Sequence, residues 1–236
     1  LQLMDQSYIL YAASEKIINV MRLQNSQLQC LKRIKRKSSN KGKEHNFVDC
    51  ASVYISRILP LTGASICFFA TKHAVFCTIL AESTITPQNA NKSIEVEKCI
   101  EIKDHEIISL CVAHPAYLFI ACETVIYVCI RISSSYHQFK ILHTINIEGY
   151  VPLKMRCIPS GIFSVMSKDG IHLYYPVRES YSYLNSNLNW KPFASVQTPK
   201  SCAHSDLEWT LDGILVYSMG RQLYSLTKYM HTFFLK

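Results

Sequence analysis

Short runs rich in Val, Ile, Leu, Tyr, Phe and Cys recur along the chain, bounded by Gly, Asp, Pro, Ser or Thr. Runs of this length and composition read as β-strands joined by tight turns. One set comprises strand 108–112, a turn at His114-Pro115, strand 117–120, a turn at Glu123-Thr124 and strand 125–129. The same succession returns at 153–157, 162–165 and 171–175, and again at 207–211, 214–217 and 222–226. An earlier copy runs through 53–59, 66–69 and 74–79. First-turn landmarks at Gly63, Pro115, Gly161 and Gly213, and second-turn landmarks at His73, Thr124, Asp169 and Gly220, both recur at about 45–50 residues.

A period of this length, built from short strands and tight turns, predicts propeller blades. The expected fold class is all-β, a divergent WD-repeat-like β-propeller with blade cores at 53–80, 107–132, 151–177 and 206–229. Residues 8–12 and 17–23, within a partial blade at 1–23, look like the second and third strands of a blade without its first. The chain is therefore expected to be an incomplete fragment of about four to five blades, with open sheet edges prone to aggregation. The fourth, outer strand of each blade is expected in the connections. Within 139–147, Phe139, Ile141, His143 and Ile145 fall on one face of such a strand and Ile147 continues it. The repeat lacks the Gly-His start and Trp-Asp close of a typical WD repeat, so its likeness to one is a matter of shape.

Charge changes this picture in one place. Of a net +8, Lys32, Arg33, Lys35, Arg36, Lys37, Lys41 and Lys43 supply seven positive charges, so the remainder of the chain is nearly neutral. The segment 32–44 also holds Ser38, Ser39, Asn40 and Gly42 and is expected to be a solvated loop inserted between strands. Its functional readings are a nuclear-import signal, an acidic-lipid contact or an RNA contact. No aromatic residue interleaves it, which removes the stacking partner of single-stranded nucleic-acid binding.

The ten cysteines include Cys67, Cys77, Cys111, Cys122, Cys129 and Cys157 inside apolar runs, where a free thiol behaves as a small buried hydrophobe. With no secretory signal ahead of them, they point to a reduced, cytoplasmic protein. The triplet Asn91-Lys92-Ser93 then reads as a chance glycosylation pattern. Residues 107–130 are long enough to span a bilayer, but His114, Pro115 and Glu123 and the β-branched bias fit three strands better.

Candidate chemistry is sparse. There is no phosphate-cradling glycine motif, no C-x-x-C and no histidine spacing that gathers metal ligands, so no catalytic residue, cofactor or metal is expected. Ser160 precedes Gly161 but lies outside any G-x-S-x-G. Asp169 and Asp212 are expected in equivalent turns, bonding local amides. Trp209 alternates with Leu207 and Leu211 and is expected in the core. Trp190, in a Tyr- and Asn-rich connection, is expected on an outer strand or the surface, where it could anchor a partner.

The run 206–220, with Trp209, Asp212-Gly213-Ile214-Leu215-Val216 and Met219-Gly220, followed by Leu223-Tyr224 and Lys228-Tyr229, resembles the last propeller segment of the rabconnectin/DmX-like family. The preceding blade at 162–175 and the connection Trp190-Lys191-Pro192 extend the resemblance over 161–229. That family includes the large subunit of the RAVE complex, the regulator of V-ATPase assembly. The resemblance implies a large, non-enzymatic cytoplasmic scaffold of twin propellers and helical repeats. Its partners would be proteins, among them peripheral V-ATPase subunits, and it would associate peripherally with endosomal or vacuolar membranes. No functional residue carries over, because the shared motif is a blade signature. The alternative is a propeller that binds nucleic acid or nuclear partners through residues 32–43.

Overall fold

Eighteen strands run through the described residues of the computed structural model, which are 7–14, 17–24, 27–35, 47–55, 64–81, 96–114, 116–132, 136–178, 188–198, 205–210, 212–219 and 222–226. Five antiparallel sheets result, each a meander in chain order. Sheet 1 contains β1 (Ser7–Ser14), β2 (Ile17–Gln24) and β3 (Gln27–Lys35). Sheet 2 contains β4 (Phe47–Ile55), β5 (Ala64–Thr71), β6 (Ala74–Ala81) and β7 (Glu97–Glu101). Sheet 3 contains β8 (Ile107–His114), β9 (Tyr117–Cys122), β10 (Val125–Arg131) and β11 (Phe139–Asn146). Sheet 4 contains β12 (Lys154–Cys157), β13 (Phe163–Met166), β14 (Gly170–Arg178) and β15 (Leu188–Gln197). Sheet 5 contains β16 (Ser205–Trp209), β17 (Leu215–Met219) and β18 (Gln222–Leu226).

The first strands of successive sheets pack on one another, β4 on β8, β8 on β12 and β12 on β16, while β1 packs on β4. The sheets are thus the blades of a β-propeller, with β4, β8, β12 and β16 innermost. Each boundary between neighbouring sheets has its own apolar core. Val20 meets Phe47, Cys67 and Phe69 between sheets 1 and 2, and Phe68 and Ile66 meet Leu110, Leu118 and Ile120 between sheets 2 and 3. Phe119 and Ala121 meet Met155, Phe163 and Val165 between sheets 3 and 4, and Ile171 and Leu173 meet Leu207, Trp209 and Leu215 between sheets 4 and 5. A middle strand packs on both faces, so β9 and β13 are buried almost continuously rather than at alternate positions. The candidate membrane stretch 107–130 is β8, β9 and β10. Among the described residues no helix is long and apolar enough to cross a membrane.

The repeat landmarks among the described residues correspond to one another. Gly161 and Gly213 both have positive φ, 90° and 74°, in turns closed by the same two bonds. Gly161 N and Gly213 N donate to the carbonyls of Ile158 and Thr210, each at 3.0 Å, and Ile158 N and Thr210 N donate to Ile162 and Ile214. Each second-turn landmark with a following outer strand receives the chain that leaves that strand. Ile102 N donates to His73 O at 2.8 Å, Ile147 N to Thr124 O at 2.8 Å, and Thr198 N to Asp169 O at 3.3 Å.

The outer strands carry a further repeat. The pairing steps past Leu31, Cys99, Leu142 and Phe193 in β3, β7, β11 and β15, so each third-to-fourth strand ladder carries a bulge, after the fourth residue of β2, β10 and β14 and after the second of β6. This makes β2 and β3 the counterparts of third and fourth strands. The bulge also corrects the expected single face of 139–147. A bulge reverses the side-chain phase, so Phe139 packs toward sheet 2 while Ile145 and Ile147 pack toward sheet 4.

Two other expectations are corrected. Lys32, Arg33 and Lys35 do not begin a loop but lie on β3, paired to Val20, Asn19 and Ile17. An outer strand tolerates such charge because half its positions face solvent, as the exposed Arg33 does. Arg36, Lys37, Lys41 and Lys43 lie outside the described residues. Asp169 and Asp212 occupy different turns, between β13 and β14 and between β16 and β17. In the first, the Ser167 hydroxyl rather than the aspartate receives the backbone N–H groups of Asp169 and Gly170, at 3.3 and 3.1 Å.

Candidate interaction site at the innermost strands

An innermost strand has no ladder partner on its inner side, and its free N–H groups need acceptors. Side chains from the preceding blade supply them. Asp49 on β4 accepts from Leu110 N of β8 at 3.0 Å, and Ser109 on β8 accepts from Met155 N of β12 at 3.0 Å. Asp49 and Ser109 each follow a step in strand pairing, at Val48 and Ile108, and stand opposite Ala70 and Ala121.

The two acceptors also join each other, Ser109 Oγ donating to Asp49 Oδ2 at 2.5 Å. Lys154 Nζ reaches Asp49 Oδ1 at 2.9 Å, and Arg156 Nη1 lies 3.4 Å from Oδ2. The belt continues into sheet 5, where Arg156 Nε donates to Glu208 Oε2 at 3.3 Å, and Trp209 Nε1 donates to the Arg156 carbonyl at 3.3 Å and to Ser164 Oγ at 3.0 Å. One polar chain therefore crosses four blades.

Asp49 is 4% exposed. Burial by itself raises a carboxyl pKa, but Arg156, then Lys154, and the Ser109 hydrogen bond outweigh it and hold Asp49 below the usual aspartate value of 3.8. Burial likewise lowers Arg156, and the carboxylates of Asp49 and Glu208 more than restore it. The charges in this belt satisfy one another, which makes it an inter-blade clamp and not an acid/base pair.

Exposed apolar residues adjoin the clamp residues in sequence. Val48 is 42% exposed immediately before Asp49, Leu153 is 40% exposed immediately before Lys154, and Val151 is 48% exposed nearby in sequence. A concavity of ≈ 520 Å³ opens between sheets 3 and 4, lined by Glu148, Tyr150, His172, Tyr174 and Phe193 among others. Tyr150 stacks on His172 with centroids 3.6 Å apart and shares a 2.6 Å hydroxyl contact with Tyr174. Burial, then the Tyr174 bond, raises the Tyr150 pKa, and burial lowers that of His172, partly offset by Asp169.

Of the residues singled out in the sequence, Trp190 lies on the outer strand β15 but is 4% exposed. Its indole N–H donates to the Gly161 carbonyl at 2.8 Å, and its ring packs edge-on against Tyr117 and Phe119. It is a core residue between sheets 3 and 4 and not an exposed partner anchor. Trp209 is in the core of sheets 4 and 5. The basic residues on β3 are on an outer strand, away from the clamp. Among the described residues no group of His, Cys, Asp or Glu could hold a metal ion, and their cysteines are free thiols. Asp49, Ser109, Lys154, Arg156 and Glu208 went unmarked in the sequence. The available signal was a polar residue inside an apolar strand, as Ser109 is between Ile108 and Leu110.

No protein-family model matches the sequence, and no curated protein does. By fold the chain is similar to a protein from Lactobacillus plantarum, with TM-score 0.56 and 11% identity over 96% of this chain and 64% of that one. It is also similar to a protein of unknown function from Bacteroides caccae, with TM-score 0.50 and 8% identity over 95% of this chain and 69% of that one. Sqt1 from Chaetomium thermophilum aligns at TM-score 0.46 and 15% identity over 78% of this chain and 44% of that one. At these identities the likeness concerns the fold alone, and the chain spans less than two thirds of the Lactobacillus protein.

Proposed function

We propose that the chain is a non-enzymatic protein-interaction scaffold, one part of a larger propeller protein like the rabconnectin/DmX-like regulators of V-ATPase assembly. The observation that carries the scaffold reading is the exposed apolar set Val48, Val151 and Leu153 beside a clamp whose charges are already paired. Such residues, on β4 and in the connection leading into β12, offer apolar contact area to a partner. The resemblance over 161–229 supports the narrower reading, in which peripheral V-ATPase subunits are the partners and the site of action is the cytoplasmic side of endosomal or vacuolar membranes.

The test is affinity capture of the longest polypeptide containing this chain, with bound proteins identified by mass spectrometry. Parallel samples carry Val48→Glu with Leu153→Glu, or a deletion of 36–43, which spares the paired residues of β3. The expected result is recovery of peripheral V-ATPase subunits, reduced by the double substitution and unchanged by the deletion. Recovery of nucleic acid or importins only when 36–43 is present would replace this reading with a nuclear one.

A further inference from the structure

We propose that Cys111 and Cys157 form a latent disulfide site that staples blade 3 to blade 4 at the innermost strands under hydroperoxide stress. The bond from Met155 N to Ser109 Oγ, 3.0 Å, brings the backbone of β12 within one short side chain of β8. Two residues further along each strand come Cys157 and Cys111. Both enter the same apolar core between sheets 3 and 4, and their thiols are within hydrogen-bonding reach of each other. A disulfide needs Cα atoms about 4.4–6.8 Å apart with Cβ atoms facing. The hydrogen bond between the two thiols puts their sulfurs in direct contact, from which a small rotation of each side chain would bring them to bonding distance. Cys111 and Cys157 belong to different blades, so their union would add a side-chain cross-link across a blade boundary.

The two thiols differ in access. Cys111 is buried, whereas Cys157 is partly exposed. Burial, followed by the Cys157 hydrogen bond, pushes the Cys111 thiol well above its ordinary pKa, and the greater exposure of Cys157 makes it the thiol that peroxide reaches first. Its thiolate attacks one oxygen of hydrogen peroxide. The O–O bond breaks, the sulfur is oxidised to the sulfenic acid, and the departing hydroxide takes up a proton to become water. Cys111 sulfur then attacks the Cys157 sulfur, giving its proton to the leaving hydroxide. The S–S bond forms, the S–O bond breaks and a second water departs. In sum, two thiols and one peroxide give one disulfide and two waters, and a dithiol reductant reverses the step.

A second thiol pair provides an internal comparison. Cys77 and Cys99 also share a hydrogen bond, but they sit on adjacent strands of one blade and both are buried. The experiment treats the chain with hydrogen peroxide, blocks residual thiols and maps peptides without reduction by mass spectrometry. The expected result is a linked Cys111–Cys157 peptide pair, lighter by two hydrogens and separated again by dithiothreitol, with a higher urea midpoint for the oxidised protein. In Cys111→Ser, dimedone is expected to trap Cys157 as the sulfenic acid. If that variant does not fold, the wild-type map decides alone. Oxidation of Cys157 to the sulfinic acid without a link, or a Cys77–Cys99 link in its place, would overturn the proposal.

Discussion

The Asp49 carboxylate and the Lys154 ammonium are 2.9 Å apart across a sequence separation of 105 residues. They belong to sheets 2 and 4, and the blade between them contributes Ser109 and Leu110 N to the same carboxylate. One buried aspartate therefore ties three blades together.

Asp49→Ala removes the acceptor for two cations and a backbone N–H. Breaking a buried pair by deleting one partner costs about 3–5 kcal/mol, because the partner charges remain. Urea unfolding is expected to show a loss of that size. The Asp49→Asn/Lys154→Met double variant is expected to lose less than the two single losses added together, since each single change strands a group that the other removes.

Acid sensitivity follows from the same group. Asp49 has a folded pKa below its unfolded value, so its contribution is complete above that ordinary value of 3.8 and is lost as pH falls through the folded pKa. His172, also lowered from its ordinary 6.5, makes stability fall as pH drops below 6.5 toward its folded value. Thermal melts across pH are expected to show a shallow decline below pH 6.5 that His172→Gln abolishes, followed by a steeper one below about pH 4 that Asp49→Asn removes.

Both tryptophans are buried, at 4% and 6% exposed. Intrinsic fluorescence is expected to be blue-shifted and poorly quenched by iodide. Trp190→Phe keeps most of the ring packing but leaves the buried Gly161 carbonyl without its donor, at a cost of about 1–3 kcal/mol. Trp190→Ala is expected to cost about 3–5 kcal/mol. Strong iodide quenching in the folded chain would contradict the packing described for Trp190.

Three glycines are expected to differ in their response to alanine. At Gly161 and Gly213 the positive φ strains any side chain, about 1–2 kcal/mol each, although the space around them permits a methyl. At Gly170 an added Cβ would lie 2.5 Å from the Val196 carbonyl oxygen on the neighbouring strand, so the β14–β15 ladder itself must shift. Denaturation midpoints are expected to fall furthest for Gly170→Ala.

The period was legible because turns punctuate it. Gly161 and Gly213 are where the backbone demands glycine, and His73, Thr124 and Asp169 mark hairpins whose carbonyls share one duty. Trp190 was misread because its neighbours on β15 are mixed in polarity, while its partners Gly161 and Phe119 come from distant parts of the chain. The clamp was illegible for a related reason. Each blade contributes one or two members, and connections of unequal length hide the correspondence of Asp49 with Ser109. The facing of β11 escaped because a bulge leaves no compositional mark at Leu142.

The backbone ties from Ile102 to His73, Ile147 to Thr124 and Thr198 to Asp169 have a bearing on synthesis. Each closes a short loop inside a single blade, so a blade can complete itself soon after its own residues emerge, at little entropic cost. Asp49 has no such local remedy. Its carboxylate can engage Ser109 and Leu110 N once β8 is made, but the cations that neutralise it, Lys154 and Arg156, come some 105 residues after it, so the clamp is the last of these contacts to close. Slow translation between residues 49 and 154 would then lengthen the interval in which completed blades remain unclamped.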